Sequence, residues 1–263
     1  MNGRNLRWIV AGVLAVLCAA AGVMVASFLQ PKAVPHAQVT PVTVHVTTTA
    51  TAHPSPEPAP VASPGINLAA HSVDEPSSVW VVVNKQRPLD PLTFEPSDLT
   101  GTGIPGGNEV TSTTATALRK MHAAAKDAGA AFSVSTAYRS YNFQKGLFNQ
   151  YVASDGVKKA ETFSARPGYS EHQTGLALDL FDSSVGCALK KCFAETKSGK
   201  WLVKHGADYG FIERYPEGAS ATTGYKWEPW HWRFVGVELA QYMRDQHIET
   251  LEEVFGLPAA PDY

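Results

Sequence analysis

Between Phe28 and Trp80 the chain has no phenylalanine, tyrosine or tryptophan. Half of its 18 prolines fall between Pro31 and Pro76, along with the run Thr47-Thr48-Thr49. A stretch so poor in large apolar groups cannot offset the entropy of ordering its backbone. Residues 30–79 are therefore expected to form an extended, disordered linker. Basic runs are also missing: the formal net charge is -2 and nothing exceeds scattered pairs such as Lys158-Lys159 and Lys190-Lys191. That leaves no electrostatic track for nucleic acid. There is no G-x-S-x-G turn, no glycine-rich phosphate loop and no cysteine beside an obvious catalytic histidine, so serine-hydrolase, nucleotide-binding and thiol-protease chemistries find no support. Cysteine itself is rare, with only Cys18, Cys187 and Cys192.

One long apolar run is present. Trp8 to Leu29 spans 22 residues without a charged side chain, and a helix needs about 20 to cross the hydrocarbon core. Arg4 and Arg7 precede it, so residues 1–29 are expected to be a membrane anchor with the N-terminus inside and the rest of the chain outside. A signal peptide cleaved near Val25-Ala26-Ser27 is the rival reading. Outside the membrane, Cys187 and Cys192 would sit in an oxidising setting, where a local disulfide is the simplest expectation.

Residues 80–263 read as one folded domain. Trp80–Val83 is β-rich, and Leu118, Met121, Ala124, Ala125 and Ala128 recur at helical spacing over about 111–128, with Gly129 placed as a cap. Strands are expected at 132–137, 176–181 and 231–235, and helices near 142–153, 200–208, 237–246 and 250–255. No regular β-α-β rhythm appears, which favours an α+β domain. In the 176–181 strand, alternation puts Leu176, Leu178 and Leu180 on one face and Ala177, Asp179 and Phe181 on the other.

Two stretches carry the chemistry: Ser170-Glu171-His172-Gln173-Thr174-Gly175, running into Asp179, and Glu228-Pro229-Trp230-His231-Trp232. They offer two histidines and an aspartate as metal ligands, with a second carboxylate three residues before the last histidine. Three protein ligands, an open position and a nearby base form the set of a catalytic zinc site. A turn at Gly175 would bring His172 back to Asp179, and a bend at Pro229 would bring Glu228 beside His231. Taken singly, Asp179 reads equally well as an ion-pair partner and His231 as a packed histidine among Trp227, Trp230 and Trp232. Arg139 directly follows a strand, where it can bind a carboxylate or stabilise a developing oxyanion. By itself it reads more naturally as a structural ion-pair partner.

At these residues the sequence resembles the VanY-like D-alanyl-D-alanine carboxypeptidases, part of a wider group of zinc peptidases that includes lysostaphin-type enzymes and the hedgehog signalling domain. The resemblance runs from about Trp80 to Val237 and rests on Ala137-Tyr138-Arg139-Ser140-Tyr141, the segment from Gly168 to Gly175, the segment from Tyr209 to Pro216, and Glu228-Pro229-Trp230-His231-Trp232. It implies a hedgehog/DD-peptidase-like domain with a central antiparallel sheet flanked by helices. It also implies one zinc ion held by His172, Asp179 and His231, with Glu228 as catalytic base and Arg139 stabilising the scissile carbonyl. Gln144, Ser170 and Trp230 would contact substrate. The implied reaction removes the C-terminal D-alanine from peptidoglycan stem peptides. An L,D-carboxypeptidase, a cross-link endopeptidase and a non-catalytic wall-binding module are the alternatives. The enzyme is expected to be a monomer, held by its N-terminal helix at a bacterial membrane with the domain in the cell-wall space, or else secreted after signal cleavage.

Overall fold

The computed structural model describes residues 65–263. The expected anchor, Cys18 and the linker as far as residue 64 lie outside the described residues. Among those described, no helix is long and apolar enough to cross a membrane.

A small antiparallel ribbon, β1 (Leu99–Gly101) and β2 (Glu109–Thr111), leads into helix α1 (Ser112–Asp127). The Thr111 hydroxyl caps that helix by accepting from the Thr114 N–H, and Gly129, at φ 70°, turns the chain away at its end. Leu118, Met121 and Ala125 are buried on one helical face, the periodicity that made the helix readable. Then follow β3 (Ser133–Thr136), α2 (Tyr141–Asp155), α3 (Val157–Ala160), β4 (Ala177–Phe181), α4 (Lys197–His205), β5 (Phe211–Glu213), α5 (Ser220–Thr223), β6 (His231–Phe234), α6 (Val237–Asp245) and α7 (Leu251–Val254). Four strands form one sheet in the order β3-β4-β6-β5, every neighbour antiparallel. The domain is therefore mixed, with helices around a central antiparallel sheet.

The alternation in β4 decides which way the sheet faces. Leu176, Leu178 and Leu180 are buried in one cluster with Leu118, Met121, Phe132, Trp232 and Phe234. A fully buried leucine contributes roughly 2 kcal/mol, so three in a row fix the register against a one-residue slip, which would turn every side chain to the wrong face. Asp179 is thereby forced to the opposite face. A second cluster joins Trp80 and Val82 to Val235, Leu239, Met243, Leu251 and Val254.

Two expectations need correction. Trp80–Val83 is not a strand. The segment is buried, but its backbone is satisfied by other groups: Arg233 Nη2 donates to the Val79 and Val81 carbonyls at 3.0 and 2.8 Å, and Arg87 Nε donates to Val82 O at 3.2 Å. The Val82 N–H bonds Val73 O at 3.0 Å. Apolar β-branched content was a correct signal of burial and a wrong one of pairing. The linker boundary at residue 79 also lies too far downstream. Ile66, Leu68, Val73 and Val79 pack against the second cluster, so residues 66–79, expected in the linker, belong to the folded part.

Candidate metal centre

The sheet register builds the site. Asp179 in β4 stands directly opposite His231 in β6, and side chains so paired on adjacent antiparallel strands lie about 5 Å apart at Cβ. Asp179 Oδ1 is 3.2 Å from His231 Nδ1. His172 arrives from the 3₁₀ turn Glu171–Thr174, which ends at Gly175 in the left-handed region, φ 67°. A Cβ on Gly175 would also meet Leu99 and Thr111 at 3.1 and 3.2 Å, so both conformation and space favour glycine there. The turn carries His172 Nε2 to 3.4 Å from Asp179 Oδ2. His172 Nδ1 lies 2.8 Å from the Ala137 carbonyl; a carbonyl can only accept, so Nδ1 carries the proton and Nε2 presents its lone pair to the site.

Glu228 and His231 meet through a tight turn. The His231 N–H bonds the Glu228 carbonyl at 2.9 Å, with Pro229 and Trp230 between them. Glu228 Oε2 then lies 4.0 Å from His231 Nδ1. The bend expected at Pro229 is therefore present and brings the two side chains to one side of the chain.

Three ligand atoms, one each from His172, Asp179 and His231, lie within 4.8 Å of one another, all on buried residues. Four-coordinate zinc, with bonds of about 2.0–2.2 Å, spaces its ligands by roughly 3.3–3.6 Å, so small side-chain adjustments suffice. The donor set, two imidazoles and a carboxylate, is one zinc takes. Buried and without a hydrogen-bond partner among the described residues are His172 Nε2, Asp179 Oδ1 and Arg139 Nε. Unpaired polar atoms are costly in a protein interior; the His172 Nε2 lone pair and the Asp179 carboxylate fit a cation, while the Arg139 N–H, itself cationic, suits a negatively charged oxygen.

The charge balance agrees. Burial pulls His231 down, but the carboxylates of Asp179 and Glu171 close to its two ring nitrogens, with that of Glu228, outweigh it and raise its pKa to about 9. Burial and the Arg139 charge lower His172 to about 4. Asp179 is depressed, its burial outweighed by the two histidines. Burial, reinforced by the Asp179 charge, pushes Glu228 up to about 8. The carboxylates around His231 favour positive charge at this point, which a divalent ion supplies.

Glu171 stands next to His172 in sequence, and nothing in its local pattern assigns it a role. It is wholly buried, and its Oε1 accepts from Arg214 Nε and Arg233 Nη1, both at 2.8 Å. Its Oε2 lies 3.6 Å from His231 Nε2, the ring nitrogen facing away from Asp179. Arg214 also forks onto Glu252 in α7 at 2.9 and 2.7 Å, and Asn84 Nδ2 donates to the same carboxylate at 2.9 Å. One signal was available for this lattice: in β6 the alternation that buries Trp232 and Phe234 on the core side puts Arg233 on the face of His231.

Two cavities meet at the centre. The larger, about 480 Å³, is lined by Arg139, His172, Asp179, Glu228 and Trp230 together with apolar side chains of α2. The smaller, about 30 Å³, lies among Ser170, Tyr215, Tyr225 and His231 and shares Arg139, His172 and Glu228 with the first. Trp230 and Ser170 thus each line one of them. Gln144 lines neither: it is buried, with its amide donating to the Ala165 carbonyl at 2.7 Å, so it braces the wall behind Ser164 and Ala165. Cys187 and Cys192 are joined as a disulfide with Cα atoms 5.7 Å apart.

A buried His-Asp-His centre at a cleft, with an unligated glutamate and an arginine beside it, defines a metal-dependent hydrolase. The family of D-alanyl-D-alanine carboxypeptidases named VanY matches residues 107–237. The YodJ protein of Bacillus subtilis strain 168 is 39% identical over 191 residues, covering 70% of this chain and 69% of that one. Among solved structures, the LdcB LD-carboxypeptidase, described for its peptidoglycan recognition, is 39% identical with a TM-score of 0.65, covering 69% of this chain and 87% of that one. A mutant of the vancomycin-resistance D,D-pentapeptidase VanY in complex with Zn(II) is 30% identical with a TM-score of 0.58, covering 68% and 98%. The chain belongs to the VanY D-alanyl-D-alanine carboxypeptidase family.

Proposed function

We propose that this protein is a zinc-dependent D,D-carboxypeptidase that removes the terminal D-alanine of peptidoglycan stem peptides. The observation that carries the proposal is the convergence of His172, Asp179 and His231 with Glu228 and Arg139 at the junction of a large and a small cavity. His172 Nε2, Asp179 and His231 Nδ1 would hold one zinc ion. Zinc in such a site acidifies water and polarises a carbonyl. Glu228, close to His231 but outside the ligand set, takes a proton from the attacking water and returns it to the departing amine. Arg139, with Nε unpaired, faces the carbonyl oxygen as negative charge develops there. The larger cavity, about 480 Å³, has room for a peptide beside the metal ligands, whereas the smaller has room for little more than a water molecule.

The 39% identity to an LD-carboxypeptidase supports a second reading, in which the terminal bond of a tetrapeptide is cut instead. Product analysis on defined muropeptides separates the two. A D,D enzyme releases one D-alanine from a pentapeptide and leaves the tetrapeptide intact. Release from the tetrapeptide alone would assign L,D specificity, and cleavage of cross-linked dimers an endopeptidase. We place the domain outside a bacterial membrane, anchored by residues 8–29, on the apolar length of that run and the two arginines before it.

Glu171 supplies a further expectation. Carboxylates on the distal nitrogen of a metal-binding histidine fix its ring and tautomer, and losing one typically weakens metal affinity by about 10–100-fold. Glu171→Gln is expected to bind zinc weaker by that order in chelator competition. Unchanged affinity would limit Glu171 to packing.

A further inference from the structure

The loop closed by Cys187 and Cys192 reaches the larger cavity through Leu189. Leu189 has a backbone φ of 51°, one of two non-glycine residues with positive φ among those described. That conformation is costly for a side chain carrying a Cβ. Its side chain gains little from folding, since Leu189 is 47% exposed. Phe143, on α2, is 60% exposed and lines the same cavity. Leu147, Tyr151, Phe163 and Trp230 complete an apolar lining that is continuous with Arg139, Glu228 and the metal ligands. Two large apolar groups left open to solvent at the mouth of a catalytic cleft, one on an unfavourable backbone inside a covalent ring, serve the occupant of that cleft better than they serve the fold.

We propose that Leu189, presented by the Cys187–Cys192 ring, and Phe143 form a side-chain subsite for the acyl part of the substrate. The subsite takes the aliphatic stem of the residue two positions before the leaving D-alanine. This rests on the carboxypeptidase reading, because only then does the larger cavity hold the retained portion of the peptide. A substrate that buries an aliphatic chain against these residues gains affinity without touching the scissile bond, so the effect falls on KM. The disulfide acts on the same quantity: it closes a short loop and restricts the places Leu189 can occupy. Opening it disperses the subsite while His172, Asp179, His231 and Glu228 stay on the sheet and its adjoining turns.

The test compares two peptides ending in D-Ala-D-Ala, one with a side-chain-acylated lysine at the preceding position and one with glycine there. D-alanine release from both is followed for the wild-type protein, for Leu189→Ser, for Leu189→Gly, which removes the side chain and relieves the backbone, and for protein whose disulfide has been reduced and alkylated. The wild type is expected to favour the lysine peptide. All three alterations are expected to reduce that preference about tenfold, through KM rather than kcat. A preference unchanged in Leu189→Gly, or a loss equal on both peptides, would overturn the subsite. If the wild-type protein releases D-alanine from neither peptide, the carboxypeptidase reading fails and the subsite falls with it, a result distinct from an unaltered preference.

Discussion

Glu228→Gln is expected to bind zinc as the wild type does and to lose nearly all turnover. Glu228 lies outside the three-atom ligand cluster, 4.0 Å from His231 Nδ1, and reaches the site only through the turn at Pro229. The amide keeps the shape of the carboxylate but cannot take a proton from water. General-base contributions are typically about 10²–10⁴-fold. Because the same group returns the proton to the leaving amine, the loss belongs at the upper end. Metal content measured beside kcat on a D-Ala-D-Ala peptide checks this. A metal-free Glu228→Gln would make Glu228 a ligand, and a fully active one would require another base.

The second large effect is on stability. Arg214 is wholly buried and its guanidinium is shared between Glu171 at 2.8 Å and Glu252 at 2.9 and 2.7 Å. Burial opposes its charge, but the two carboxylates overcome this and hold its pKa well above the usual arginine value. Arg214→Ala would leave two buried carboxylates short of a partner, the situation in which breaking a buried pair costs about 3–5 kcal/mol. Thermal or denaturant unfolding should register that loss. Arg214→Lys is expected to fall between, since an ammonium keeps the charge without the fork that bonds Glu252 twice. A change below about 1 kcal/mol for Arg214→Ala would show that the lattice carries little of the fold's stability.

The sequence disclosed the site more fully than the frame around it. Alternation is enough to place Asp179 on the face away from three leucines, and a turn at Gly175 and a bend at Pro229 stand as the conditions under which the two stretches could meet. The register that sets Asp179 opposite His231 was not readable, because pairing between strands some 50 residues apart leaves no local pattern. Glu171 escaped for the same reason: its partners Arg214 and Arg233 lie 43 and 62 residues away, and a charged residue in isolation reads as surface. Strand β5 is only three residues long, too short to show a period. Trp80–Val83 failed differently. Its composition reported burial correctly, while the partner for its carbonyls was an arginine side chain rather than a neighbouring strand.

One zinc ion, held by His172, Asp179 and His231, is expected to be required to release D-alanine. The most direct test of that requirement is zinc stoichiometry measured beside D-alanine release, for the wild-type protein, the chelated and zinc-restored protein, and His231→Ala. One zinc per chain is expected in the wild type, with activity lost on chelation and regained on adding zinc, and neither metal nor activity in a folded His231→Ala. Full D-alanine release from the metal-free wild type, or stoichiometric zinc with normal turnover in His231→Ala, would contradict it.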